Sequence, residues 1–173
     1  MQHVRPSPRL QSRSDPARLE FRWEHFSDIS REIAPLWRRH WEEIALDQEF
    51  IPLDPDWDSY FDLALRGVLH VLTARTVAVE RSPLVGYIFN LIGGHQHYLG
   101  TRFAHTEMFW LDPDWRKGWQ PVRMFLENLA GLKAREAEVA TINFKLHFKN
   151  ARVGKLLARL GYEPTDIVMR KVL

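Results

Sequence analysis

Apolar positions along the chain follow two spacings, and the switches between them mark out its elements. Leu19, Phe21 and Trp23 alternate with Glu20 and Arg22, which is the period of a half-buried strand. Ser27-Asp28 can cap a helix in which Ile29, Ile33, Leu36 and Trp37 share one face, running to about Ala45. A loop punctuated by Pro52 and Pro55 leads to a short helix over 56–66. Residues 68–80 and 84–92 predict a hairpin across Arg81-Ser82-Pro83, with Gly93-Gly94 ending or bulging the second strand. A third strand, 103–111, is stopped by Asp112-Pro113. Val122, Phe125, Leu126, Leu129 and Leu132 then lie at helical spacing over 121–135, a helix that tolerates Pro121 in its first turn. Residues 139–146 alternate again as a strand. A helix over 150–160 has Asn150 as cap, Val153, Leu156, Leu157 and Leu160 as apolar face and Gly161 as stop. A last strand is expected over 167–172.

The order of strands and helices, without any repeat, predicts an α/β (α+β) domain: a mixed, twisted sheet with helices on both faces. The length of 173 residues fits a single domain, and 45% hydrophobic residues supply a sizeable core. Residues 1–18, with three prolines, four arginines and no apolar period, read as a flexible basic arm, leaving 19–173 as the domain. That division explains the charge. The sequence pI of about 9.0 suggests a polyanion binder, but Arg5, Arg9, Arg13 and Arg18 stand against Asp15 alone in the arm. The body carries 20 basic and 21 acidic residues, so any nucleic-acid contact is expected only through the arm.

There is no cysteine, which excludes disulfide frameworks, Cys-ligated metals and thiol nucleophiles. No apolar run approaches the roughly 20 residues of a membrane helix, and the arm lacks the apolar middle of a signal peptide. A soluble, cytoplasmic protein without a membrane partner is the expectation. His95-Gln-His97 has metal-like spacing but no third ligand beside it, so it reads as a loop pair, and no metal site is expected.

Two later segments carry a resemblance. One is Met108-Phe-Trp-Leu-Asp-Pro-Asp-Trp-Arg116 followed by an amphipathic helix; the other is Asn150-Ala-Arg-Val-Gly-Lys-Leu-Leu-Ala-Arg-Leu-Gly-Tyr162. Together with the element order they resemble the GNAT superfamily of N-acetyltransferases over about residues 19–173. The first is similar to the family's apolar strand, Asp-Pro and arginine before a glycine loop that opens a helix. The second is similar to its Asn-x-x-Ala … Leu-Gly-aromatic ending. The resemblance implies a GNAT-like domain in which two neighbouring strands splay apart around the pantetheine arm of acetyl-CoA, the cosubstrate. Backbone groups of Phe109, Trp110 and Leu111 would hold that arm. The loop of Arg116, Lys117, Gly118, Trp119, Gln120 and Val122 would grip the pyrophosphate, and Asn150 is a further candidate contact. Physics supports such a loop independently: a helix start presents unpaired N–H groups to anions, and Arg116 and Lys117 add charge.

The sequence also departs from the family. Trp119 and Pro121 occupy its glycine positions, and Gly118 is displaced by one. Leu157 stands where the resemblance implies a tyrosine acid for the departing thiolate, with Tyr98 or His147 as substitutes.

Acetyl transfer to an amine needs the neutral amine, and a free lysine is only on the order of 0.1% neutral at pH 7, so a base helps. Glu107 is the candidate catalytic residue, on the strand before the loop and flanked by Met108, Phe109 and Trp110, where loss of water would make a carboxylate more basic. The alternative is a solvent-facing strand residue. Eight acidic residues between 42 and 62, with no Lys or Arg between 40 and 65, either steer a cationic acceptor or form a solvated helix face. The reading is an N-acetyltransferase moving acetyl from acetyl-CoA directly to a small-molecule or protein amine. The alternative is a catalytically impaired GNAT-fold module that binds coenzyme A or a protein partner. A homodimer is left open.

Overall fold

The computed structural model describes residues 18–77, 82–145 and 151–171. Its elements are β1 (Leu19–Glu24), α1 (Phe26–Ile44), α2 (Trp57–Leu65), β2 (Leu69–Thr76), β3 (Leu84–His95), β4 (Tyr98–Leu111), α3 (Gln120–Ala134), β5 (Val139–Ile142) and α4 (Ala151–Arg159), with a short 3-10 turn at Pro113–Trp115. The strands form one sheet in the order β1-β2-β3-β4-β5. Neighbours are antiparallel up to β4, and β5 returns parallel to β4 through the crossover helix α3. The mixed α/β sheet expected from the sequence is therefore present.

Each face of the sheet carries its own core. On one side Phe26, Ile29, Ile33, Leu36 and Trp37 of α1 and Ala64 of α2 pack on Val71, Tyr87, Phe89 and Trp110. The helical face read from Ile29, Ile33, Leu36 and Trp37 is the buried one. On the other side Met124 and Phe125 of α3 and Leu157 of α4 cover Leu19, Leu72, Ala74, Ile88 and Leu111. Because β2 and β3 are buried on both faces, they read as near-continuous apolar runs.

Several expectations need correction. His25 caps α1, accepting from the Ser27 amide through its ring, because the helix starts one residue before Ser27. β3 runs through Gly93 and Gly94 rather than ending there, since both keep their partners on β4, and the bulging alternative holds just after them, with a register shift between Gly94 and His95. β5 stops at Ile142 rather than reaching 146. The buried face of α3 is Met124, Phe125, Asn128, Gly131 and Leu132, whereas Leu126 is exposed. Asn128 is inside because it meets another buried amide, with Asn90 donating to it at 2.9 Å and Thr106 donating to Asn90 at 2.8 Å. Gly131 is inside because the Trp23 ring lies where a side chain would be.

The C-terminal strand is absent among the described residues: 163–171 has no regular structure, and Ile167, Val168 and Met169 are 85, 79 and 87% exposed. Strand propensity holds a segment extended only where a neighbouring edge and a covered face receive it. Residues 1–17, 78–81, 146–150 and 172–173 lie outside the described residues, and with them Asn150, His147 and the last residue of the expected C-terminal strand.

Candidate active site

Glu107 sits at a fault in the sheet. On β3, Phe89 faces Met108 and Asn90 faces Thr106, so Glu107 is the extra residue of a β-bulge and has no partner across the ladder. A bulge of this kind turns its residue and the next to the same side of the sheet and bends the strand. Thr106 lies on the α3 side, bonded to Asn90, while Met108 packs with α1 and α2, and Glu107 points toward α2, where Tyr60 Oη donates to its Oε1 at 3.0 Å. The desolvation expected from the apolar neighbours of Glu107 does not occur: the side chain is exposed. Its setting is geometric, a carboxylate re-aimed by an inserted residue.

The bulge also marks where β4 and β5 part. Their last pair is Thr106 with Ile142, yet β4 continues to Leu111 beside β3. The Asp112 amide donates to Val85 on β3. By strand alternation Phe109 and Leu111 therefore turn their backbone groups to the opposite edge, which β5 has left. The Leu111 carbonyl already has an acceptor role there, to Arg116 Nε at 2.5 Å. This open edge offers amide and carbonyl groups of the kind a pantetheine arm pairs with. The side chains at the same positions are structural. Trp110 is buried toward α1 with its indole N–H on Glu43 at 3.0 Å, and Phe109 packs edge-on against Phe125.

Beyond β4 the chain turns through Pro113–Trp115 into α3. Gly118 has a φ of +68°, a left-handed conformation that favours glycine. Trp119 precedes the helix and provides no side-chain cap; its own indole is 62% exposed. With no acidic residue in the first turn, the amides of Gln120 and Val122 stand at an uncapped, positive helix end, and Pro121 contributes none. Lys117 is exposed beside them. These features fit an anion such as pyrophosphate. Arg116 is placed differently from the other loop residues. Both of its terminal nitrogens rest on the Glu43 carboxylate, so its guanidinium braces the loop against α1. Arg116 holds the Glu43 carboxyl below the usual carboxylate range.

Behind this brace lies a buried pair. His40 Nδ1 is 2.8 Å from Tyr87 Oη, and burial pushes the imidazole down to about 4, so it is neutral at pH 7. The Tyr60 hydroxyl is pushed well up, by burial first and then by the Glu107 charge, and keeps its proton.

The structure brings Glu107, Phe109, Leu111, Lys117, Gly118, Gln120 and Val122 to the end of β4 and the start of α3. Leu157 is buried against the α3 side of the sheet, at the position of the implied tyrosine. Tyr98 cannot replace that tyrosine: it opens β4 nine residues before Glu107, roughly 30 Å away at strand rise. Tyr162 fills the packing position of the Leu-Gly-aromatic ending. Tyr60 and the bulge were not apparent from the sequence, nor was His105, whose ring meets Thr141 Oγ1 at 2.9 Å on the last shared stretch of β4 and β5. No pattern of residue types announces a bulge at Glu107, just ahead of the apolar run Met108–Leu111.

No family model matches the sequence, and no curated protein does. Solved structures do share the fold. An aminoglycoside acetyltransferase from an uncultured soil metagenomic sample is 12% identical with a TM-score of 0.67, covering 90% of this chain and 96% of its own. Ribosomal-protein-alanine N-acetyltransferase from Brucella melitensis biovar Abortus 2308 is 18% identical with a TM-score of 0.62, covering 90% and 100%. An aminoglycoside N-acetyltransferase in complex with CoA is 14% identical with a TM-score of 0.59, covering 92% and 97%. Among the described residues no helix is long and apolar enough to cross a membrane.

Proposed function

Starting from the N-acetyltransferase fold, we propose that this chain is an acetyl-CoA-dependent N-acetyltransferase that moves the acetyl group directly to an amine. The observation that carries the reading is the bulge at Glu107, which puts a carboxylate and the opening between β4 and β5 at one place. Acetyl-CoA, when bound, supplies a thioester whose acetyl carbon an amine lone pair attacks, the C–S bond breaking as the thiolate leaves. The chain's residues supply position and proton transfer. Glu107 takes the amine proton. Backbone groups of Phe109 and Leu111 hold the arm, and the amides of Gln120 and Val122 with Lys117 hold the phosphates. Gly118 and Trp119 shape the loop, with Arg116 bracing it and Trp110 anchoring the strand. Asn150, before α4, is proposed as a further coenzyme contact. With Leu157 in the tyrosine position the thiolate leaves without an acid at that point, which slows turnover but does not prevent it.

The acceptor is an amine on a small molecule or a protein; the solved relatives by fold are named for acting on aminoglycosides and on ribosomal-protein alanine. Residues 1–18 are the arm and 19–173 the catalytic domain, and the cysteine-free composition suits the cytoplasm. The test is thermal melting with and without acetyl-CoA, followed by thiol release across an amine panel. A rise in Tm and thiol release with at least one amine are expected. No shift at millimolar acetyl-CoA would overturn coenzyme binding, and a shift without thiol release would overturn the transfer reaction.

A further inference from the structure

The bulge frees Glu107 to point toward α2, but it also removes the ladder partner that would steady the carboxylate. Tyr60 takes over that task. Its ring is wedged among Trp37 at 4.9 Å, Phe26 at 5.6 Å and, edge-on, Phe89 at 5.9 Å. Phe26, Trp37 and Phe89 are themselves buried. α2 is pinned at its start, where Asp56 accepts from the Ser59 amide at 3.0 Å and from its hydroxyl at 2.6 Å. The Tyr60 hydroxyl is therefore a fixed point, and Glu107 is the partner it reaches.

We propose that Tyr60 is a positioning residue for the acceptor base: its hydroxyl anchors Glu107 Oε1 on the acceptor side of the bulge and leaves Oε2 to receive the amine proton. The inference rests on the reading of Glu107 as base. A carboxylate can only accept and this phenol keeps its proton, so the polarity of the contact is set, with Tyr60 donating and Glu107 accepting. The exposed side chain gives up its rotamer freedom before the acceptor arrives, so that freedom is not lost on reaching the transition state. Tyr60 touches neither the acetyl carbon nor the amine in this account. Its effect passes through Glu107.

Tyr60→Phe is the variant of choice because it removes one oxygen and keeps the aromatic packing. Kinetics on the full chain, with an alanine-ended peptide and an aminoglycoside as amine probes, should show kcat about tenfold lower and KM for acetyl-CoA unchanged. The loss should vanish in a Glu107→Gln background, where there is no base left to position. Wild-type kcat in Tyr60→Phe, a raised KM for acetyl-CoA at unchanged kcat, or a loss that adds in full to that of Glu107→Gln would each overturn the positioning role. Wild-type turnover in Glu107→Gln would instead overturn the base itself.

Discussion

Both terminal nitrogens of Arg116 rest on the carboxylate of Glu43, and that same carboxylate accepts the indole N–H of Trp110. One side chain from the last turns of α1 thus holds the end of β4 and the loop that leads into α3. Arg39, one turn earlier on α1, adds a second tie through Asp112 at 2.7 Å, with its guanidinium over the Trp110 ring. The proposed phosphate cradle is fixed from behind, and the amides and Lys117 in front of it remain available to a ligand.

Glu43→Gln should loosen this brace without unfolding the protein. The pair is partly exposed, so the cost is about 1 kcal/mol, or roughly 2–4 °C in Tm. Limited trypsin digestion should cut faster after Arg116 and Lys117. The folded carboxyl lies below its ordinary range, so the brace contributes fully above the ordinary value of about 4.5 and is lost only as pH falls through the lower one. An unchanged digestion rate would show that the loop does not depend on Glu43.

His40 should make the protein acid-labile at a milder pH. Its imidazole is held down to about 4 in the fold against about 6.5 when unfolded, so below 6.5 the unfolded chain binds the extra proton and stability falls. At pH 5 the loss is about 2 kcal/mol from this group. Urea midpoints at pH 7.5 and pH 5 should differ accordingly, and the difference should shrink in His40→Gln. The same difference in the variant would assign the lability elsewhere.

Gly131→Ala offers a test of packing against propensity. Alanine gains about 1 kcal/mol in a helix interior, but a Cβ here would lie 2.2 Å from the Trp23 ring, which also carries Arg135 stacked at 3.9 Å. Overpacking should win, with a net destabilisation of roughly 1–3 kcal/mol by chemical denaturation. A stabilised variant would mean that α3 can move off β1 at little cost.

The acidic segment divides by what its carboxylates touch. Glu43 and Asp47 pair with Arg116 and Arg170, Asp62 pairs with Arg66, and Asp56 is the cap of α2. Any steering of a cationic acceptor would therefore fall to Asp54 and Asp58, with Glu42 and Glu49. Asp54→Asn with Asp58→Asn should raise KM for a polycationic amine several-fold and flatten its salt dependence, while sparing a monoamine. Equal effects on both amines would leave these residues as a solvated face.

Much of this architecture was legible because the periods were clean. The alternation of Leu19, Phe21 and Trp23 and the 3.6 spacing of Ile29, Ile33, Leu36 and Trp37 each admit one element type and one buried face. What stayed hidden depends on contacts distant in sequence. Asn128 reads as polar surface until Asn90 is beside it, and Gly131 reads as a weak helix residue until Trp23 fills its space. Ile167, Val168 and Met169 read as a strand because propensity is local, whereas an edge to pair with is not. At the candidate site, position in the loop and strand could be read from motif order, but Arg116 turned to Glu43 because that carboxylate, 73 positions away in sequence, accepts from both of its terminal nitrogens. Tyr60 gave no signal at all, since its role exists only once β4 is bulged.

Glu107 is an addition to β4 rather than a replacement within it. Deleting that one residue would leave Thr106 facing α3 and Met108 facing α1 and α2, each on the side it already occupies, with an unbroken ladder to β3. The carboxylate and the bend would disappear together while both cores kept their contents. The proposed catalytic capacity of this domain and its ability to fold are thus separable by a single codon.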